Sequence, residues 1–239
     1  METIDISNLL NFDFQRREAF NTLRTNIQFC GNDIKVIGIT SCSPNEGKSS
    51  ISLNLAVSLA EADKKVIFVD GDLRNSVMIA RYRVSHAVTG LSHYLSGINM
   101  EDDFIYPTNI KNLDLILSGP VPPNPSELFG SQSFSLLIKE LKESYDYIII
   151  DTPPLGSVID SAVISRECDG MLIVIEANAI NYKFAQRVKE QLDKTGCKIL
   201  GTVLNKVDLN KKGYMSKHYG ANYGRYYNNE YSAKSAKKS

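Results

Sequence analysis

Residues 43–50 read Ser43-Pro44-Asn45-Glu46-Gly47-Lys48-Ser49-Ser50 and lie between two apolar segments. The preceding segment, Ile34-Lys35-Val36-Ile37-Gly38-Ile39-Thr40, is typical of a buried strand, and residues 51–60 have a helical pattern. A strand, a small polar loop with Gly-Lys-Ser and a helix form the context of a phosphate-binding loop. In such a loop, backbone N–H groups and the helix N-terminus surround an anion.

The loop predicts how a nucleotide is held. We expect residues 43–50 to bind its phosphates, with Lys48 neutralising the β- and γ-phosphates and the Ser49 hydroxyl on Mg²⁺. The full pattern has a further glycine at the position where this chain has Cys42. An ordinary strand-to-helix turn that contains Gly-Lys-Ser is the alternative interpretation.

Two further apolar segments end in aspartates. Lys65-Val66-Ile67-Phe68-Val69 leads into Asp70 and Asp72, and Tyr147-Ile148-Ile149-Ile150 leads into Asp151. Open α/β sheets bind ligands at the carboxyl ends of their strands, so all three carboxylates are expected near the loop. Asp151 is predicted to reach Mg²⁺ directly or through water. The alternative is that these acids only end their strands and are solvated.

The remaining apolar segments indicate the fold class. Strands are predicted at residues 113–117, 170–176 and 198–208, and helices at about 131–144 and 182–194. Strands that alternate with helices predict a doubly wound, mainly parallel α/β sheet like that of the P-loop NTPases. Asn205, at the end of the last strand, can meet a nucleotide base edge through its amide; an exposed loop asparagine is the alternative.

Composition excludes several other classes. The chain has 239 residues and a formal net charge of zero, so its overall charge does not favour a nucleic-acid partner. Its four cysteines are widely scattered, which favours free thiols in a reducing compartment over a zinc site or disulfides. No apolar run approaches the ~20 residues that a membrane span needs, and residues 1–13 lack the basic start of a signal peptide.

The two ends of the chain have patterns of their own. A helix over about residues 15–29 carries Glu18, Asn21 and Arg24 three apart on one face, which is either solvated or a subunit contact. Residues 211–239 are rich in Gly, Asn, Ser and Lys and are predicted to be a disordered tail after a domain of residues 1–210. The tail holds six of the 12 tyrosines: Tyr214, Tyr219, Tyr223, Tyr226, Tyr227 and Tyr231.

These motifs together resemble the bacterial tyrosine kinases of capsule and exopolysaccharide biosynthesis in their Gram-positive form without a membrane span. The resemblance covers nearly the whole chain: the loop up to Ser50, the motif Val69-Asp70-Gly71-Asp72-Leu73-Arg74, and Ile150-Asp151-Thr152-Pro153-Pro154. Pro122-Pro123-Asn124-Pro125-Ser126-Glu127-Leu128 is also similar to a family segment, and the terminal tyrosines match the family's autophosphorylation cluster. The family's oligomerisation helix has Glu-x-x-Arg-x-x-Arg, whereas this chain has Asn21 at the first arginine.

The resemblance implies ATP- and Mg²⁺-dependent phosphorylation of the tail tyrosines of a neighbouring subunit. Lys48, Asp70 and Asp72 would be catalytic, with Asp70 facing the tyrosine hydroxyl and Asp72 and Asp151 on Mg²⁺. Glu18 and Arg24 would join copies into a homo-oligomer, which is ring-shaped in the family. A membrane-spanning activator of polysaccharide export would recruit the cytoplasmic kinase to the inner face of the membrane, and other proteins would also be phosphorylated.

Two other classes of protein remain as alternatives. The partition and division-site ATPases share this architecture and use ATP as a dimer switch, but their loop carries a signature lysine where this chain has Ser43. The other alternative is a binding module whose basic, aromatic tail holds single-stranded nucleic acid or an anionic polymer.

Overall fold

The computed structural model describes residues 3–7, 14–75, 89–98 and 104–207. The described strands are β1 (Val36–Ser41), β2 (Val66–Asp70), β3 (Ile105–Pro107), β4 (Leu113–Ile116), β5 (Tyr147–Asp151), β6 (Gly170–Glu176) and β7 (Ile199–Asn205). The described α-helices are α1 (Phe14–Phe29), α2 (Lys48–Glu61), α3 (Leu91–Leu95), α4 (Pro125–Phe129), α5 (Gln132–Ser144), α6 (Asp160–Ile164) and α7 (Tyr182–Asp193), with a 3₁₀ turn at Ser165–Glu167.

The strands form one seven-stranded sheet in the order β3-β4-β2-β5-β1-β6-β7. All neighbouring strands are parallel except β3 and β4, which pair antiparallel. The predicted mainly parallel, doubly wound sheet is thereby confirmed. The short edge strand β3 and the helix α6 were not predicted.

The central strands are mainly apolar up to the polar residues at their carboxyl ends, because both faces of the sheet are covered. In β2, Val66 and Phe68 contribute to the core beneath α1 and α2, whereas Ile67 and Val69 contribute to the core that α5 packs against. The helix α7 adds Val188 and Leu192 to a third cluster with residues of β6. A strand buried on both sides has no polar face, which explains why these segments read as continuous apolar runs.

The order of the strands brings three motifs to one edge of the sheet. The strand β5 lies between β1 and β2, and Asp70 of β2 is the register partner of Asp151 of β5. The loop that follows β1 leaves the sheet at the same edge, because β1 is parallel to β5. The carboxyl ends of β1, β2 and β5 therefore define one site.

The sheet and its helices belong to a unit that ends at Asn205. Of the second unit, which begins at Lys206, the structure describes Lys206 and Val207. The predicted tail of residues 211–239, with its six tyrosines, lies outside the described residues, and its disorder stays a prediction.

Candidate active site

The loop between β1 and α2 turns through a left-handed glycine. Gly47 caps α2 at φ 91°, a conformation that side chains disfavour, and a Cβ at this position would lie 2.2 Å from Nδ2 of Asn205. The amide of Ile51 then donates to the Gly47 carbonyl and begins the helix. Glycine at this position thus permits both the turn and the close approach of Asn205.

Glu46 braces the loop from inside. Its side chain is buried, and its two carboxylate oxygens accept from the amides of Ser43 at 2.8 Å and Glu176 at 3.4 Å. Nδ2 of Asn205 donates to the Glu46 carbonyl at 2.8 Å. Pro44 and Asn45 form the exposed tip of the loop. The structure therefore places Glu46 and Asn205 as supports of the loop, and their predicted contacts with a nucleotide stay predictions.

The ammonium of Lys48 lies between two buried carboxylates. Its Nζ is 3.1 Å from Oδ2 of Asp72 and 3.4 Å from Oδ2 of Asp151, and it donates to Oγ of Ser49 at 3.3 Å. Burial disfavours the charged form of Lys48, but the attraction of Asp151 and Asp72 outweighs it, so the pKa of Lys48 is raised. The cation is thus held charged at the start of α2.

Asp151 is deeply buried, with 1% of its surface exposed. Burial raises its pKa, against the opposing effects of Lys48 and of hydrogen bonds from Ser49 and Ser52. Oγ of Ser52 donates to Oδ1 of Asp151 at 3.1 Å. The predicted metal-binding set of Ser49, Asp72 and Asp151 is therefore one cluster around Lys48.

Asp70 and Asp72 occupy different positions at the end of β2. Asp70 is the last residue of the strand, and its Oδ1 accepts from the amide of Asp72 at 3.3 Å. Asp72 lies in the following loop, where its Oδ1 accepts from the amide of Asn75 at 3.1 Å. Both side chains are buried; Asp72 forms an ion pair with Lys48, and Asp70 adds to the attraction that raises the pKa of Lys48.

The donor set fits a Mg²⁺-nucleotide. Within the described ranges, no group of three or more His, Cys, Asp or Glu side chains is placed to hold a metal ion. Mg²⁺ is commonly bound by one or two carboxylates together with substrate phosphates, so Asp72 and Asp151 are a sufficient protein contribution. The glycine turn beside Lys48 supplies the close backbone approach that phosphates need.

A second charged cluster borders the site and was not predicted as functional. The guanidinium of Arg74 donates from Nε to Oδ2 of Asp160 at 2.6 Å and from Nη2 to Oδ1 at 3.0 Å. Oγ of Ser126 also donates to Oδ1 of Asp160, at 2.5 Å. Asp160 is fully buried, which alone would raise its pKa, but these hydrogen bonds outweigh burial and lower it. From the sequence, Arg74 and Ser126 were recognised only as members of motifs. Their common partner, Asp160, was missed because it lies in α6, a helix that was not predicted.

The residues predicted to join subunits make contacts within the chain. Arg24 of α1 donates from Nη1 to the carbonyl of Ser58 at 2.6 Å and to its Oγ at 3.1 Å. Glu18 accepts from Nδ2 of Asn21 at 3.1 Å, so the substituted position pairs with its neighbour on the helix. Their oligomeric role stays a prediction. Among the residues that the structure describes, no helix combines the length and apolar character needed to cross a bilayer.

Comparisons with known proteins agree with this geometry. A sequence model of the AAA domain family matches residues 34–200. The tyrosine-protein kinase CpsD of Streptococcus agalactiae is 44% identical over 208 residues, which cover 87% of this chain and 90% of that protein. Among solved structures, the kinase domain of the Escherichia coli tyrosine kinase ETK is 31% identical with a TM-score of 0.80, over 90% of this chain and 85% of that one.

The architecture also matches a protein of the alternative class. The septum site-determining protein MinD of Pyrococcus horikoshii OT3, solved with Mg-ADP, is 28% identical with a TM-score of 0.60. That match covers 71% of this chain and 69% of that one. The nucleotide-binding fold is thus shared by both classes, whereas the longer and closer matches are to the tyrosine kinases.

Proposed function

The chain belongs to the bacterial tyrosine kinases of capsule biosynthesis, and we propose that it transfers the γ-phosphate of ATP to the tyrosines of its own tail, in trans between copies. Through this reaction it regulates the synthesis and export of capsular or extracellular polysaccharide. The observation that carries the proposal is that the carboxylates of Asp72 and Asp151 both lie within 3.4 Å of the ammonium of the loop lysine, Lys48.

The loop and Lys48 hold the phosphates of ATP. The residues of the loop present backbone N–H groups, and Gly47 makes the left-handed turn that begins the helix N-terminus beside them. Lys48 is already charged and oriented by two carboxylates. On nucleotide binding its ammonium turns to the β- and γ-phosphates, which carry more negative charge than the two acids.

Ser49, Asp72 and Asp151 hold Mg²⁺, partly through water. Bound there, Mg²⁺ would supply positive charge beside the phosphate oxygens on which negative charge develops during transfer. The buried position of both carboxylates strengthens their electrostatic effect, because little water screens them. The protein contributes position and charge, and no covalent intermediate on a side chain is required.

Asp70 faces the acceptor hydroxyl. A carboxylate is a far weaker base than a phenolate, so Asp70 orients the hydroxyl more than it abstracts the proton early. In a loose transition state the proton leaves late, when the oxygen has become more acidic. Asp70 accepts the proton at that stage.

The tail is the natural acceptor because tethering raises its local concentration. A copy joined through α1 brings its tail close to the neighbouring active site, with Glu18 and Arg24 in the contact. A membrane-spanning activator places the oligomer at the inner face of the membrane and stimulates transfer. Other proteins that reach the site are phosphorylated on tyrosine as well.

A mixing experiment tests transfer between copies. One variant carries Lys48→Met and an intact tail, and a second has an intact site with the six tail tyrosines replaced by phenylalanine. After incubation of the mixture with Mg-ATP, phosphotyrosine is expected on the Lys48→Met chain, which forms none alone. Phosphate that appears only in unmixed wild type would exclude transfer in trans.

The same reactions distinguish the kinase from a switch ATPase. ADP and phosphotyrosine are measured together, with and without the cytoplasmic segment of a candidate activator. A kinase forms phosphotyrosine as ADP accumulates. ADP formation with unmodified tails under both conditions would instead favour the partition and division-site class.

A further inference from the structure

Arg74, Asp160 and Ser126 connect three segments at the rim of the site. Arg74 follows β2, Ser126 is the second residue of α4 after the proline-rich segment, and Asp160 opens α6. Both oxygens of the buried Asp160 are used, since Oδ2 accepts from Nε of Arg74 and Oδ1 accepts from both Nη2 of Arg74 and Oγ of Ser126. Nη2 of Arg74 also lies 3.3 Å from Oγ of Ser126, which closes the cluster.

The cluster is continuous with the two segments that carry the metal-binding carboxylates. Arg74 lies two residues after Asp72, and Asp160 lies in the segment that follows Asp151. That segment is itself tied to β1, because Oγ1 of Thr40 donates to the carbonyl of Pro153 at 2.9 Å. The Arg74–Asp160 pair therefore joins the Asp72 loop to the framework that holds Asp151.

The ion pair with Lys48 also holds the Asp72 carboxylate in the absence of nucleotide. When Lys48 turns to the phosphates, as proposed above, the position of Asp72 depends on the remaining bonds of its loop. The amide of Asp72 donates to Oδ1 of Asp70, and Oδ1 of Asp72 accepts from the amide of Asn75; both bonds are local, and neither reaches the segment that follows Asp151. The amide of Gly71 donates to the Asp151 carbonyl at 2.8 Å and fixes the beginning of the loop. After Asp72, the paired hydrogen bonds from Arg74 to Asp160 fix the direction in which the loop continues.

We propose that Asp160 is a positioning residue for the metal-binding site: through Arg74 it sets the place of the Asp72 carboxylate relative to Asp151. This inference rests on the proposed function, in which Asp72 and Asp151 hold Mg²⁺. A planar guanidinium held by two hydrogen bonds on one carboxylate has little freedom to rotate, so the adjacent loop is fixed as well. Partners that orient metal ligands typically change metal affinity about 10- to 100-fold when they are replaced.

Nucleotide binding with and without Mg²⁺ tests the proposal. The affinity of the full chain for a fluorescent ADP analogue is measured in EDTA and in Mg²⁺, and the ratio gives the gain in affinity that the metal provides. Asp160→Asn is expected to lower this gain about tenfold while leaving affinity in EDTA within about twofold, since the loop and Lys48 are untouched. Raised Mg²⁺ should restore phosphate transfer in the variant.

Asp169→Asn is the matched control. Asp169 also accepts from a basic side chain, Nζ of Lys142 at 2.8 Å, and from the amides of Lys35 and Val36. It lies directly before β6, at the amino ends of the parallel strands, whereas the site lies at their carboxyl ends. Asp169→Asn is expected to lower stability without changing the gain from Mg²⁺, which separates positioning from general destabilisation.

Arg74→Lys keeps the charge but cannot form the paired hydrogen bonds of the guanidinium with Asp160. It should therefore lose the same part of the gain in affinity from Mg²⁺ as Asp160→Asn. If Asp160→Asn does not fold, Arg74→Lys alone tests the positioning role. An Asp160→Asn or Arg74→Lys chain that keeps the full gain from Mg²⁺ would overturn the positioning role alone. If the wild-type chain showed no gain from Mg²⁺, the assignment of the metal site itself would be wrong, and the positioning role with it.

Discussion

Replacing Lys48 by methionine should destabilise the protein strongly even without nucleotide. Nζ of Lys48 lies 3.1 Å from Asp72 and 3.4 Å from Asp151, and these acids are 6% and 1% exposed. Each pair amounts to about 5 kcal/mol of Coulomb energy at an effective dielectric constant of about 20. Because desolvation offsets part of this, the expected loss is the roughly 3–5 kcal/mol typical of a broken buried pair. For a domain of this size the melting temperature should fall by roughly 6–20 °C.

The loss should depend on pH in a definite direction. The raised pKa of Lys48 means that its contribution is complete below about pH 10 and is lost only above that. In the variant, the pKa of Asp151, already raised by burial, rises further because the neighbouring cation is gone. Asp151 then binds a proton more tightly in the folded state than in the unfolded state. The loss of stability in the variant is therefore largest above the pKa of Asp151 in the folded state, and it shrinks as pH falls towards about 4.

Urea denaturation followed by far-UV circular dichroism at pH 5 and pH 8 measures this contrast; the chain has no tryptophan for fluorescence. Lys142→Met is the control, since Lys142 and Asp169 form a partly exposed pair with 37% and 24% of their side chains accessible. Its loss should be about 1 kcal/mol or less. A buried ion pair at Lys48 would be refuted if Lys48→Met lost no more stability than Lys142→Met, or lost equal amounts at both pH values.

Three further substitutions address the loop, the acceptor site and the oligomer. Gly47→Ala should abolish binding of a fluorescent nucleotide, because the residue has φ 91° and its Cβ would meet Asn205 at 2.2 Å; binding near the wild-type level would contradict the loop geometry. Asp70→Asn should keep ATP binding but lower turnover about 10²- to 10⁴-fold; an equal fall in binding would assign Asp70 to the metal site. Arg24→Ala should shift the mass measured by light scattering towards monomer, and an unchanged mass would remove its role in the oligomer.

The strand ends of the site could be predicted because they follow from a local pattern. An apolar segment buried on both faces and closed by an acid identifies β2 and β5, and parallel pairing then brings Asp70 beside Asp151. The glycine turn before α2 follows from the same local pattern. These features depend on a few neighbouring residues and on a general rule of α/β sheets.

The Arg74–Asp160 pair could not be predicted in this way. Its partners are 86 residues apart and meet only because α6 turns back towards the loop after β2. The brace from Glu46 was missed for a related reason, since a charged residue in a polar loop gives no sign that its side chain is buried. Likewise, β3 has three residues and pairs only at the edge of the sheet, so it leaves little periodicity in the sequence.

The central claim is that this site transfers phosphate to the tail tyrosines. Mass spectrometry of peptides from residues 211–239, after incubation of the full chain with Mg-ATP, tests it most directly, with Lys48→Met and an EDTA-treated sample as controls. Phosphate is expected in the untreated wild type only, on one or more of Tyr214, Tyr219, Tyr223, Tyr226, Tyr227 and Tyr231. Unmodified tails in the wild type, both alone and with the activator's cytoplasmic segment, would contradict it.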